Sequence, residues 1–444
     1  MAREFQGPKG TRDFYPRDMA LRRHIEAAWR QSSVVHGFEE IDGPTFEHLE
    51  LYTVKSGEGI VSELFSFRRA GGEDDYALRP EFTPTLARMV AAKAGGLPHP
   101  IKWFAIPSHF RAERPQRGRL REFLQWNVDL LGIDGPQAEV EVLSTAIVAL
   151  ERLGLSPADV RVKISHRGVV GAALRSLGVP EERTADAFAL LDRRDKLDAA
   201  SFTARAAEIG LGGTDGEKAL EAFARVARAR FPAADAAQAV CAATNCSAAD
   251  AAPLAAVLDG LKASGMDEWC EVDLGIVRGL AYYTGAVFEL HEASGGERAI
   301  AGGGRYDGLV EMFGGPRTPA VGMGMGDVVL ALVLRDRGKL PADDGESLLP
   351  RPDAFFISAE GEASDRLLPG MLSSLRRDGL HVRQSYKSTR NVGKLLADAG
   401  KCRARMAVIL GAEVAEGMVQ VKDLDRNEQV MVAVADLARH LRGD

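Results

Sequence analysis

Residues 110–132 read FRAERPQRGRLREFLQWNVDLLG, and this stretch decides the architecture. Its second half alternates. Phe123, Gln125, Asn127 and Asp129 fall on one face of an extended chain, and Leu124, Trp126, Val128 and Leu130 on the other, because strand side chains repeat every two residues. One face is core; the other carries amides and a carboxylate. Upstream, KWFAI at 102–106 is a second strand signal, so the two segments predict a hairpin with a long tip. Residues 111–121 of that tip hold Arg111, Arg114, Arg117, Arg119 and Arg121 against the single acid Glu113. Planar guanidinium forks suit phosphate or carboxylate, which points to an anion site beside a polar strand face. The competing reading is a solvated charged turn.

Outward from the hairpin, helical spacing covers residues 16–36, about 82–95 and 137–153, while GFEEIDGPTFE (37–47) reads as a strand entering a turn at Pro44. From about 168 to 268 the chain is rich in Ala, Arg, Asp and Glu and helical in period, like a separate insert. Strand and glycine signals return over 271–330, and the polar stretch DRGKLPADDGESLLPRP (336–352) reads as a linker. Beyond it DAFFIS, HVRQSY, RMAVILG and GMVQVKDL alternate with helical segments, the pattern of a small α/β domain. The expected fold is an α+β domain over 1–335, its antiparallel sheet flanked by helices and carrying the helical insertion, with an α/β domain over 353–444.

Bulk composition removes several classes of function. In 444 residues there is no run of 18 or more apolar ones, so no membrane helix is expected. MAREFQGPKGTRDFYP lacks the apolar core of a secretory leader, and Cys241, Cys246, Cys270 and Cys402 are scattered; both point to a reducing cytoplasm. A net charge of −7 argues against a general nucleic-acid coat. Basic residues are instead local: residues 376–405 hold nine Lys or Arg against Asp378 and Asp398, and residues 351–444 hold 15 against 13 acids, a net of +2. Metal and nucleophile chemistry finds little support. Cys241 and Cys246 have no second pair at finger spacing, so core packing is the expectation for them and no metal is expected on the protein. There is no P-loop and no nucleophile elbow. His166 and His291 read as structural or surface residues.

Three further segments carry candidates. In LRPEFTPT (78–85), Glu81, Thr83 and Thr85 form a polar trio before a helix. A threonine there suits an N-cap, whereas Glu81 suits a ligand for a substrate amine. In VRGLAYYTGAVFE (277–289), Arg278 sits in apolar context beside Tyr282 and Tyr283, so it must meet a carboxylate in an ion pair or a phosphate. AGGGRYDGL (301–309) and the glycines Gly322, Gly324 and Gly326 let backbone approach a ligand or another strand closely, but lack the context of a dinucleotide fingerprint.

Taken in order, these segments resemble the histidyl-tRNA synthetases, class II aminoacyl-tRNA synthetases, nearly end to end. GPKGTRDFYP looks like the family's opening, GFEEIDGPTFE like motif 1 with Pro44, and FRAERPQRGRLREF like motif 2. LRPEFTPT, VRGLAYYTG and AGGGRYDGL are similar to the histidine-specific segments, and the tail to the anticodon-binding domain. The resemblance implies activation of L-histidine by ATP with Mg²⁺, transfer to tRNA(His), a homodimer and a cytoplasmic location. It implies Arg111 and Arg278 at the phosphates, Glu113 and Arg119 near ATP, and Glu81, Thr83, Gln125 and Asp129 around histidine, with Tyr282 and Tyr283 nearby. The chain also departs from the family. Val329 stands where motif 3 ends in an arginine that covers adenine, Asp129 replaces a glutamate, and Ala281 an aspartate. The lost arginine removes a cation–π contact of ~1–2 kcal/mol. A rival is the non-catalytic, histidine-sensing regulatory subunit of ATP phosphoribosyltransferase. That relative lacks the tail and tends to lose the two arginines, and this chain has both. A general RNA-binding module would leave Glu81, Gln125 and Asp129 unexplained.

Overall fold

Alternation over residues 122–131 has the expected result. Leu124, Trp126, Val128 and Leu130 are all buried in a core beneath the sheet. The computed structural model describes residues 5–56, 61, 63–192, 197–210, 216–233, 236–277, 283–359 and 361–443. It divides into two compact units, 1–347 and 348–444.

The strands of the first unit are β1 (Glu39–Glu40), β2 (Phe46–His48), β3 (Ser66–Arg68), β4 (Asp75–Leu78), β5 (Ile101–Ala105), β6 (Ser108–Phe110), β7 (Glu122–Leu131), β8 (Val160–His166), β9 (Arg230–Pro232), β10 (Cys270–Asp273), β11 (Ala286–Glu292), β12 (Ala301–Arg305) and β13 (Ala320–Gly326). The main sheet runs β1-β5-β7-β13-β12-β11-β8-β10-β9, with β6 also on β7. Its middle is antiparallel; β1 joins β5 and β10 joins β8 in parallel. A second, three-stranded sheet, β2-β4-β3, stands apart. Helices Pro16–Val35 and Gln137–Arg152 cover the apolar face, where Trp29 stacks on Trp126 at 5.9 Å. The Trp126 indole N–H donates to Ser33 Oγ at 3.0 Å, so a buried polar atom in that core is satisfied.

Helices Arg167–Ser176, Thr184–Asp192, Ala199–Glu208, Gly216–Arg228, Ala236–Thr244 and Ala248–Ala263 fill the segment read as an insert. They are interrupted by β9, which pairs antiparallel with β10 and ties the segment to the sheet edge. Three residues are too few for the periodicity of a strand to register in the sequence. Cys246 is buried, and Cys241 lies 3.5 Å away, sulfur to sulfur.

In the second unit, β14 (Ala354–Ser358), β15 (Val382–Gln384), β16 (Met406–Leu410), β17 (Met418–Asp423) and β18 (Glu428–Ala433) form a sheet of order β15-β14-β16-β17-β18. Helices Gly361–Arg377 and Val392–Lys401 connect the parallel strands.

Candidate active site

The polar face of β7 forms the floor of a cavity of about 910 Å³, with Phe123, Gln125, Asn127 and Asp129 along its wall. What leaves room above that face is the neighbouring strand. Gly322 pairs with Asp129, Gly324 with Asn127 and Gly326 with Gln125 across β13 and β7. A Cβ at Gly322 would lie 1.9 Å from Asp129 Oδ1, and one at Gly324 1.7 Å from Gln125 Nε2. The GMGMG run therefore leaves the gap into which the Asp129 and Gln125 side chains fold.

Asp129 is 5% exposed and accepts a hydrogen bond from the Tyr306 hydroxyl at 2.5 Å. Burial pushes its carboxyl up to about 7, and the Tyr306 bond holds it back from going higher. Burial and the adjacent Asp129 push the Tyr306 phenol well above its usual range. Gln125 donates to Asn127 Oδ1 at 3.2 Å. Glu81 and Thr83 reach the same cavity from the start of helix Thr83–Lys93. Neither threonine caps that helix; Thr85 is buried and donates to Glu47 at 3.2 Å.

The Arg-rich loop supplies the opposite end. Gln116 and Arg119 exchange backbone hydrogen bonds at 3.0 and 2.9 Å, closing a two-residue turn in which Gly118 has a φ of 73°, a conformation glycine adopts without strain. Arg111 lies in the cavity wall with its guanidinium carbon 5.2 Å from the Phe123 ring centre, and its Nε donates to Pro80 O at 3.2 Å. It makes no ion pair among the described residues, so its charge is available to an anion. Arg119 also lines the cavity and pairs with Glu113. Beneath Phe123 stacks His109, wholly buried and kept neutral by burial and by Arg79 and Arg111. Arg79, 4% exposed, donates to Ser108 O, Gly43 O and Asp42, fixing the Pro44 turn to the base of the hairpin.

Arg278 and Tyr282 lie outside the described residues. Tyr283 is buried and lines the cavity. Tyr306, Glu289 and His291 line it as well, although His291 reads from sequence as structural or surface. His291 Nε2 lies 2.8 Å from Glu289 Oε2. Alternation in AVFELHE was the signal: Phe288 and Leu290 are buried on one face of β11, and Glu289 and His291 lie on the other. Arg305, by contrast, is structural, pairing with Glu139 and donating to Ile133 O and Gly135 O. The cavity thus combines the polar side chains Glu81, Thr83, Gln125, Asn127 and Asp129 with the cationic Arg111, Arg119 and Arg298.

Comparison with known proteins shows the family. The profile described as histidyl-tRNA synthetase matches residues 10–326, and that described as anticodon binding domain matches residues 365–443. The histidine--tRNA ligase of Opitutus terrae is 39% identical, covering 97% of this chain and 98% of its own. That of Natronomonas pharaonis is 38% identical over 97% and 96%. The crystal structure of histidyl-tRNA synthetase from a Nostoc species superposes over 100% of both chains with a TM-score of 0.77 at 25% identity. The chain described here belongs to the histidyl-tRNA synthetase family.

Proposed function

We propose that this chain activates L-histidine with ATP and transfers it to tRNA(His). The observation that carries the reading is a single cavity with Asp129, Gln125, Glu81 and Thr83 at one end and Arg111 on the same wall toward the other. A histidine carboxylate oxygen attacks the α-phosphorus of ATP, the bond to the β-phosphate oxygen breaks, and pyrophosphate leaves. The adenylate carbonyl is then attacked by a terminal ribose hydroxyl of the tRNA, and AMP leaves. Such a displacement needs positioning and charge neutralisation more than a proton carrier.

In this scheme Arg111 holds the α-phosphate, with Arg278 as its second cation, and Arg119, set by Glu113, binds the outer phosphates. Glu81 and Thr83 take the amino group. Gln125 and Asp129, braced by Tyr306, take the imidazole, with Tyr282 and Tyr283 alongside. Polar partners for a buried ring reject apolar side chains of similar size, which leave those partners unpaired. Among the described residues no three His, Cys, Asp or Glu converge into a metal cage. Mg²⁺ would enter with ATP, held chiefly by phosphate oxygens and water, and would neutralise charge there.

Residues 353–444 act as the anticodon-binding domain, with 1–335 as the catalytic core, about 168–268 as its insertion and 336–352 as the linker. A homodimer is supported by the aromatic face of the small sheet, where Phe46 and Phe67 are 49% and 44% exposed beside Tyr76. Among the described residues no helix is long and apolar enough to cross a membrane. The reading includes a cytoplasmic site of action. The test is histidine-dependent exchange of pyrophosphate into ATP by the purified protein with Mg²⁺. Exchange is expected with histidine alone among the amino acids. Complete absence, with histidine still bound, would favour the sensor instead.

A further inference from the structure

The cationic end of the cavity contains an arginine with no assigned task. Gly118 at the loop tip, Val329 at the start of helix Asp327–Asp336, and Arg298 before β12 meet there. A Cβ at Gly118 would lie 3.3 Å from Val329 Cγ2 and 3.6 Å from Arg298 Cδ. Val329 and Arg298 thus flank one glycine, and Ile300, 2% exposed, lines the same cavity. The segment bearing Arg298 is anchored on both sides. Arg117 Nε donates to Glu297 at 2.7 Å, and the Gly326 N–H donates to Ile300 O at 3.2 Å.

Arg298 itself makes no hydrogen bond or ion pair among the described residues. Its guanidinium is lowered from its usual range by partial burial and by Arg119 nearby, against the opposing pull of Glu113. A planar cation on a cavity wall that also holds the apolar side chains Val329 and Ile300 is matched by the π face of a flat aromatic ring. The ring stacks on the guanidinium face while the N–H edge stays in water. Phe123 lines the same cavity.

We propose that Arg298 covers the adenine ring of ATP in this protein, from the segment before β12 instead of from position 329. This rests on the reading that the cavity takes ATP. The valine at 329 and the arginine at 298 then form one compensated pair: an aliphatic side chain beneath, and the cation supplied from the neighbouring loop.

The test is calorimetric titration of the full-length protein with ATP and, separately, with inorganic tripolyphosphate, which has the charges but no base. R298A is expected to weaken ATP on the order of tenfold and tripolyphosphate less than twofold. R298A/V329R, which returns a guanidinium from the other side, is expected to recover most of the loss. Unchanged ATP affinity in R298A overturns the proposal, and so does an equal loss for both ligands, which would make Arg298 a plain phosphate contact. Titration needs no turnover, so the two ideas part cleanly. Exchange activity with unchanged ATP binding in R298A removes Arg298 alone. Selective loss of ATP binding in a protein that performs no exchange removes the ligase reading alone.

Discussion

Asp129 concentrates the electrostatic problem of this site in one side chain. It is a carboxyl almost out of water, with Tyr306 as its hydrogen-bond donor, and burial brings it to about 7 against 3.8 in an open chain. Between those two values the folded protein keeps a proton that the unfolded chain has shed. Unfolding free energy therefore falls as pH rises across that window and levels above it, by at most about 1.4 kcal/mol per pH unit from this group. Asp129→Asn removes the component. Urea unfolding of wild type and variant between pH 5 and 8 should show the variant gaining relative stability as pH rises; a difference constant with pH would mean that Asp129 does not titrate there. The residue's place on the polar face of β7 was legible from alternation alone. Its neighbour Tyr306 was not, because the hydroxyl arrives from position 306, beyond β12, and no local spacing brings the two together.

The hairpin and the helix after β13 illustrate what elements add. Sequence alternation and the arginine cluster identify the β5–β7 hairpin, and the observed cross-strand pairs Ile101↔Leu131 through Ala105↔Asn127 follow its register. How the helix is attached to it was not legible. Asp327 heads helix Asp327–Asp336, where its carboxylate favours the positive end of the peptide dipoles. It also accepts the Leu124 N–H at 2.9 Å and pairs with Arg12 at 2.6 Å, with its own side chain 7% exposed. One acid thus joins the amino-terminal segment, the floor strand and the helix carrying Val329. Asp327→Ala leaves a buried N–H unpaired and a half-covered arginine without its anion, so a loss of about 2–3 kcal/mol is expected. Chemical denaturation measures it, and a loss under about 0.5 kcal/mol would mean that the three elements hold together without Asp327. Sequence spacing identifies the floor strand but is silent on contacts over 203 and 315 residues, which only the tertiary fold creates.

At the scale of the molecule, each unit has its own apolar interior. In the first, Trp29, Trp126, Leu143, Ile147 and Phe288 belong to one continuous core. In the second, Phe356, Leu372, Val408, Val419 and Leu441 form one face of a separate core, and Ile357, Leu395 and Ile409 the other. The polar stretch 336–352 contains the boundary at Ser347, where few apolar residues could bridge two cores. All the described cavity residues lie between Glu81 and Val329, within the first unit. Removing residues 348–444 should therefore leave histidine-dependent pyrophosphate exchange within about threefold of the full chain. Charging of tRNA(His) should fall far more, because the basic run from Arg376 to Arg405 goes with the deleted unit, and phosphate contacts supply much of the affinity for a nucleic acid. The remaining activity should also lose part of its dependence on salt, since fewer phosphate contacts displace fewer counterions. Measuring both reactions on one preparation decides the matter: charging that survives as well as exchange would show that the second unit is not where the tRNA is held, whereas loss of both together would mean that the first core needs the second to fold.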